Sequence, residues 1–257
     1  MILGSRSFAY GRALLLALPL SVVSYAHGQP PSKASLAEVI LKRADEVRFP
    51  SRAFMVNVRI QTFENANLKT ERLLRVLSKG SDKTLVMTLA PASERGQILL
   101  MKDRDLWVYF PRVSQPVRLP LSERFVGQIS NGDIARANFT GEYTPQLDGI
   151  ERIGGDEYYL LELHGISSGV TYQRVRYWVR RSNFRPYKAE FYSLSGRLLK
   201  TCRYEGYKEL GGTVRPTKLV MTDALRAGEE SILEYSGMKF RNLSDRVFTK
   251  AYLDRLQ

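Results

Sequence analysis

Cysteine and histidine are nearly missing from this chain, whose 257 residues include one Cys and two His. With Cys202 alone, no disulfide can form within the chain, so stability has to come from a packed core. The thiol itself sits in an apolar strand-like run and reads as a small buried hydrophobe. Zinc sites draw on several Cys and His ligands, and His27 and His164 are too few, so no metal is expected. A phosphate-binding glycine loop is missing too: Gly154-Gly155 and Gly211-Gly212 each stand between strand-like runs, where such a loop needs a strand and then a helix. Gly165-Ile166-Ser167-Ser168-Gly169, beside His164, spells the nucleophile-elbow string, yet the stretch Val170 to Arg180 after it alternates like a strand, so the string reads as a hairpin turn. Asp103 with Asp105, and Glu229 with Glu230, fall in turn-like segments where solvated charge is the ordinary explanation. No catalytic residue and no cofactor is expected, and the chain reads as a binding protein.

Positive charge is what the chain has in excess, at a formal +13. That balance suits an anionic partner, and the compartment decides which. Arg6 and Arg12 precede the apolar run Ala13 to Val23, and small residues come next at Ser24-Tyr25-Ala26 and Ala26-His27-Gly28, which is the pattern of a secretory signal peptide over residues 1–28, cleaved near Ala26 or Gly28. The run is too short for a membrane span and contains Pro19. Removal takes away two arginines and no acid, lowering +13 to +11. An exported, non-membrane-spanning chain seldom meets nucleic acid, so a lipid surface or an envelope protein is the expected anionic partner.

The chain from residue 29 reads as one domain, with no linker long enough to separate two. Leu36, Val39, Ile40, Arg43, Ala44 and Val47 recur at helical spacing after Ser35, which stands three residues before Glu38 as in a capping box. From Arg52 the period changes to two. Phe54, Val56, Val58 and Ile60 share an apolar face opposite Met55, Asn57, Arg59 and Gln61. Gln97 to Met101 and Leu106 to Phe110 flank a polar tetrad and read as a hairpin. Further strands are expected at Glu71 to Ser78, Thr84 to Leu89, Tyr158 to His164, Tyr172 to Arg180, Tyr187 to Leu194, Leu198 to Tyr207, Pro216 to Thr222 and Ser231 to Phe240. So many short strands imply a large antiparallel sheet, curled into a barrel or part of one. Leu121 to Gly149 has no sustained period and reads as a long connection, a mobile cover over the sheet. In Tyr172 to Arg180 the side chains of Val175, Tyr177 and Val179 alternate with Arg174, Arg176, Trp178 and Arg180, a positive line suited to docking an acidic surface.

The string Pro91 to Pro111, with Glu94-Arg95-Gly96, an aliphatic strand and Leu106-Trp107-Val108-Tyr109-Phe110-Pro111, resembles the LolA-like family of outer-membrane lipoprotein-sorting proteins. The resemblance continues through Gly154 to Leu163, Tyr177-Trp178-Val179 and Gly196 to Lys200. Gly127 to Asp133 departs from the Gly-Ser-Asp type of string expected there. The resemblance implies an α+β fold: a strongly curved antiparallel sheet forming an incomplete barrel, with the N-terminal helix and the 121–149 segment over its concave face. It implies a periplasmic, non-enzymatic carrier whose apolar cavity takes acyl chains of a lipoprotein or lipid for outer-membrane sorting. Phe54, Val56, Val58, Ile60, Val175, Tyr177 and Val179 are the cavity candidates, and Arg174, Arg176, Trp178 and Arg180 the docking candidates. Two other roles fit the same features: an envelope lipid or lipoprotein sensor acting on an inner-membrane regulator, and an accessory protein of an inner-membrane exporter, a transporter to or from which it would hand lipid.

Overall fold

Ser35 starts the first helix as its spacing predicts. Its hydroxyl accepts from the Glu38 amide at 3.2 Å, its own amide donates to the Glu38 carboxylate at 2.6 Å, and α1 runs Leu36–Arg48. The computed structural model describes residues 35–253 apart from Arg112, Ser114 and Ala137. The signal-peptide reading of residues 1–28 lies outside them.

After α1 the chain is almost wholly strand. A first series is β1 Phe54–Glu64, β2 Asn67–Lys79, β3 Lys83–Ala90, β4 Ile98–Lys102, β5 Asp105–Tyr109 and the short β6 Val117–Leu119. A connecting segment holds the small pair β7 Arg124–Val126 and β8 Ile129–Ser130, then one helical turn, α2 Asn131–Ala135. The second series is β9 Tyr143–Ile153, β10 Asp156–Gly165, β11 Arg174–Arg180, β12 Pro186–Tyr192, β13 Leu198–Glu209, β14 Val214–Asp223 and β15 Glu229–Phe240. A 3-10 turn at Asp245–Phe248 and α3, Lys250–Leu253, complete the described chain.

Each series is a meander of antiparallel neighbours, and β1 pairs with β15 to fuse the two into one 13-stranded sheet that ends at β6 and β9. Those end strands do not pair with each other. Laid flat, the ten steps from β5 to β10 would span about 48 Å at about 4.8 Å per strand. Yet Leu106 and Val108 of β5 share one apolar core with Leu161 and Leu163 of β10, α1 and the 121–143 segment. One helix and one segment fill that core only if the sheet curves around them, giving the incomplete barrel with an inner and an outer face.

The predicted strands are present, most of them a few residues longer than their periodic cores. Two regions differ from the sequence reading. The last seven residues of the expected 121–149 connection begin β9, an edge strand buried almost nowhere along its length. With no buried face it shows no period, and Pro145 is tolerated where one side of the strand is unpaired. The remainder of that segment is not a loose cover. Leu121, Val126, Ile129, Ile134, Ala135 and Phe139, with Tyr143 at the start of β9, are buried against the inner face, and the irregular backbone that aims the first six inward leaves no periodic trace. We call residues 121–143 the plug. The C-terminal segment, unmarked in the sequence reading, covers the outer face of β3 to β5, where Phe248 and Leu253 pack on Leu85, Ile98, Leu100 and Tyr109.

Candidate functional site

The inner face is the candidate site, and three of its predicted residues meet around one small space. Phe54, Val56 and Val58, alternate positions on β1, line a cavity with Val76, Ile134, Ala135 and Tyr235. Its volume is about 30 Å³, about the share of one liquid water. Ile60 is buried on the same face but does not line this cavity. Val175, Tyr177 and Val179 also face inward and are fully buried, with Tyr177 edge-on to Phe139 of the plug at 5.2 Å. The structure therefore joins the two predicted groups in one core and places only Phe54, Val56 and Val58 at the cavity.

Polar contacts fix the plug to this apolar surface, and the sequence reading missed all of them. The Lys200 ammonium, on the inner face of β13, donates to the Gln128 carbonyl and to Asp133 Oδ2, the latter at 2.7 Å. Tyr172 donates its hydroxyl to the same carboxylate oxygen at 2.8 Å. The Gln128 amide donates to Ser231 Oγ at 2.9 Å. At the other end, Asp45 Oδ2 of α1 accepts from the amides of Phe139 and Thr140 and from the Thr140 hydroxyl, at 2.7–3.0 Å. Burial pushes the Asp45 carboxyl up, opposed by the nearby Arg48 and these donors. Two glycines let the plug seat: a Cβ on Gly127 would stand 2.4 Å from both Ser231 Oγ and Thr62 Cγ2, and one on Gly132 would stand 1.9 Å from Thr171 Oγ1. Lys200 was legible in principle, since it shares the inward face of β13 with Cys202 and Tyr204 and is a charge out of pattern there.

Cys202 is fully buried on that face and burial pushes its thiol up to about 12, which leaves it unreactive at neutral pH.

The docking candidates lie on the outer face of β11, and their charge is compensated there. Arg174 meets Glu162 at 3.0 Å, and Arg180 meets Asp156 at 3.0 Å. Arg176 lies within 4.0 Å of Asp148, Glu151, Glu162 and Glu190. Trp178 is 2% exposed, donates its indole N–H to Glu151 at 2.7 Å and lies under Lys188 at 3.9 Å. A single strand showed the arginines, but the carboxylates belong to β9, β10 and β12, and only sheet pairing brings them alongside. The expected line of bare positive charge is thus a mixed-charge surface with its tryptophan underneath.

Gly165 to Gly169 forms the turn between β10 and β11, with no helix after it. Among the described residues no group of three or more His, Cys, Asp or Glu is placed to hold a metal ion. No helix among them is long and apolar enough to cross a membrane.

Comparison with known proteins agrees with this architecture. A family model described as an uncharacterized protein matches residues 80–255. A LolA superfamily protein from Nitrosomonas europaea is 57% identical, with a TM-score of 0.81 over 85% of this chain and 100% of that one. A DUF1329 family protein from Desulfovibrio piger is 23% identical, covering 84% of this chain and 97% of that one, TM-score 0.73. A domain from Vibrio parahaemolyticus named for outer membrane lipoprotein sorting is 23% identical, covering 85% and 98%, TM-score 0.73. The last two share the fold. No curated protein matches the sequence. With its open, curved sheet, its plugged inner face and a 57% identical relative covering 85% of its length, the chain belongs to the LolA superfamily.

Proposed function

We propose that this protein is an exported, non-enzymatic carrier that takes acyl chains of a lipoprotein or lipid onto the inner face of its sheet, in the periplasm, for outer-membrane sorting. The observation that carries the reading is that an extended apolar face is covered by a mostly irregular segment that packs on it through apolar side chains and is tied down by a few polar contacts. Family membership, the sorting name of the Vibrio relative and the signal-like composition of residues 1–28 support it.

The packing sets how uptake has to work. The cavity under Phe54, Val56 and Val58 is only about 30 Å³, far short of an acyl chain, so a chain reaches this part of the inner face only if the plug leaves. A dozen methylenes transferred from water contribute on the order of 10 kcal/mol at about 0.8 kcal/mol each. Exposing Leu121, Val126, Ile129, Ile134 and Phe139 costs a similar amount, at about 1.5–3 kcal/mol per side chain. Uptake is then an exchange of one apolar occupant for another, near balance and reversible, as a carrier requires.

A lock tests this. Gly127 and Thr62 face each other closely enough that a Cβ on Gly127 lies 3.2 Å from Thr62 Cβ, a few tenths of an ångström short of disulfide spacing. Thr62→Cys with Gly127→Cys should lose binding of dansyl-labelled undecanoic acid when oxidised and regain it on reduction. Equal binding in both states would remove the plug, and with it the inner face, from the function.

A further inference from the structure

The inner core contains a cation whose hydrogen-bonding capacity the protein leaves unfilled. Arg48, the last residue of α1, is 8% exposed, and its guanidinium lies 4.7 Å from the centre of the Phe139 ring and 5.4 Å from that of Tyr204. Its Nε and Nη1 meet no hydrogen-bond acceptor. The carboxylate beside it, Asp45, stands 3.6 Å from Nη1, and the other oxygen of that carboxylate accepts three hydrogen bonds from the plug. Next to the guanidinium the hydroxyl of Tyr177 is also unfilled, as is the side-chain oxygen of Asn138. Other buried cations have closer partners: Lys200 has Gln128 and Asp133, Arg215 has the carbonyls of Glu46, Val47 and Leu210, and Arg136, whose Nε also meets no acceptor, has Glu142 at 2.5 Å from its Nη1.

Asp45 Oδ1, itself without a hydrogen bond, balances the charge from 3.6 Å but closes no hydrogen bond to the guanidinium; leaving buried charged donors so is costly, and a ligand carboxylate at hydrogen-bond distance would fill them. Asn138 borders both the small space beside Arg48 and the cavity under Phe54, Val56 and Val58. A group held at Arg48 is therefore adjacent to where an apolar tail would lie. The space beside Arg48 is about 20 Å³, too small for a bulky head while the plug is seated.

We propose that Arg48 is the head-group subsite of the inner face and that it selects acyl ligands ending in a carboxylate, the head bound at the guanidinium and the tail replacing the plug along β1. This rests on the carrier reading and narrows it: a carrier of neutral acyl esters has no use for an unfilled cation in its core.

The test compares dansyl-labelled undecanoic acid with the matching dansyl-labelled undecanol, titrated into the mature protein by fluorescence. The acid should bind at least tenfold more tightly to the parent. Arg48→Met should bring the two affinities within about twofold by weakening the acid and sparing the alcohol. Arg48→Lys keeps the charge but loses the planar fork, and should retain a reduced preference; it serves in place of Arg48→Met should that variant not fold. Equal binding of acid and alcohol by the parent overturns the head-group site and leaves the carrier reading standing. An undiminished preference in Arg48→Met, or in Arg48→Lys where it stands in, overturns it as well. Failure of the parent to bind either compound overturns the carrier reading and this subsite together.

Discussion

Lys200 on β13 and Asp133 on α2 form an ion pair of 2.7 Å with both side chains more than nine-tenths buried. It ties the plug to the middle of the second strand series. Removing one member of a buried pair strands the other charge, which costs about 3–5 kcal/mol, whereas replacing both with apolar groups costs far less. Lys200→Met should therefore lower unfolding free energy by about 3–5 kcal/mol, and Lys200→Met with Asp133→Leu by clearly less. Urea denaturation of the two variants checks this; equal losses would mean that the pair does not act as a unit.

Neighbours on β1 should respond in opposite ways to the same charge. Val58 is buried beside the cavity, while Arg59 faces solvent and pairs with Glu71 at 2.7 Å. Val58→Glu places an unpaired carboxylate in apolar surroundings and should cost on the order of 4 kcal/mol. Arg59→Glu trades an exposed, solvent-screened ion pair for like charges and should cost far less than the buried charge does. Thermal and urea unfolding of the pair give the comparison directly.

How much of this was legible before folding depends on whether a segment has a buried face of its own. Phe54 to Ile60 and Val175 to Val179 announced their inward sides because alternation against a core is visible in one strand. Tyr143 to Ile153 did not, since an edge strand exposed on most positions has nothing to alternate. The plug was hidden for a different reason: Leu121, Val126, Ile129, Ile134 and Phe139 point inward from irregular backbone, so their spacing matches neither period. Arg48 did leave a trace, four residues after Ala44 on the helix stripe of Ile40, Leu41 and Ala44, a charge where the pattern wants an apolar residue. Its unfilled donors became visible only once the surrounding rings were in place.

Seating of the plug depends on the missing side chain at Gly127, which combines a φ of +51° with close contacts to Thr62 and Ser231. Gly127→Ala adds overpacking of about 1–3 kcal/mol to backbone strain of about 1 kcal/mol. It should lower stability and unseat the plug at once, so probe affinity should rise while the melting temperature falls. A stabilised variant would contradict the close approach.

Acid should weaken the fold partly through Glu94. Its carboxylate is held below the ordinary 4.5 first by hydrogen bonding from Arg72, whose Nη2 lies 2.7 Å from Oε1. An acid with a depressed folded value stabilises above its unfolded value, and that contribution is lost as pH falls through the folded one. Urea midpoints should therefore decline below about pH 4.5, and Glu94→Gln should flatten part of that decline. An unchanged acid limb would show that the pair is not maintained in solution.

Exchange between plug and acyl chain is the central claim, and amide hydrogen exchange across residues 121–139 measures it most directly. The amides of Gln128, Asn131, Gly132 and Arg136 donate within the fold and should be protected in the protein alone. On saturation with dansyl-labelled undecanoic acid, the account predicts faster exchange at these four amides with β1 and β11 unchanged or slower. Full binding of the probe with protection of the plug unaltered or increased would contradict it.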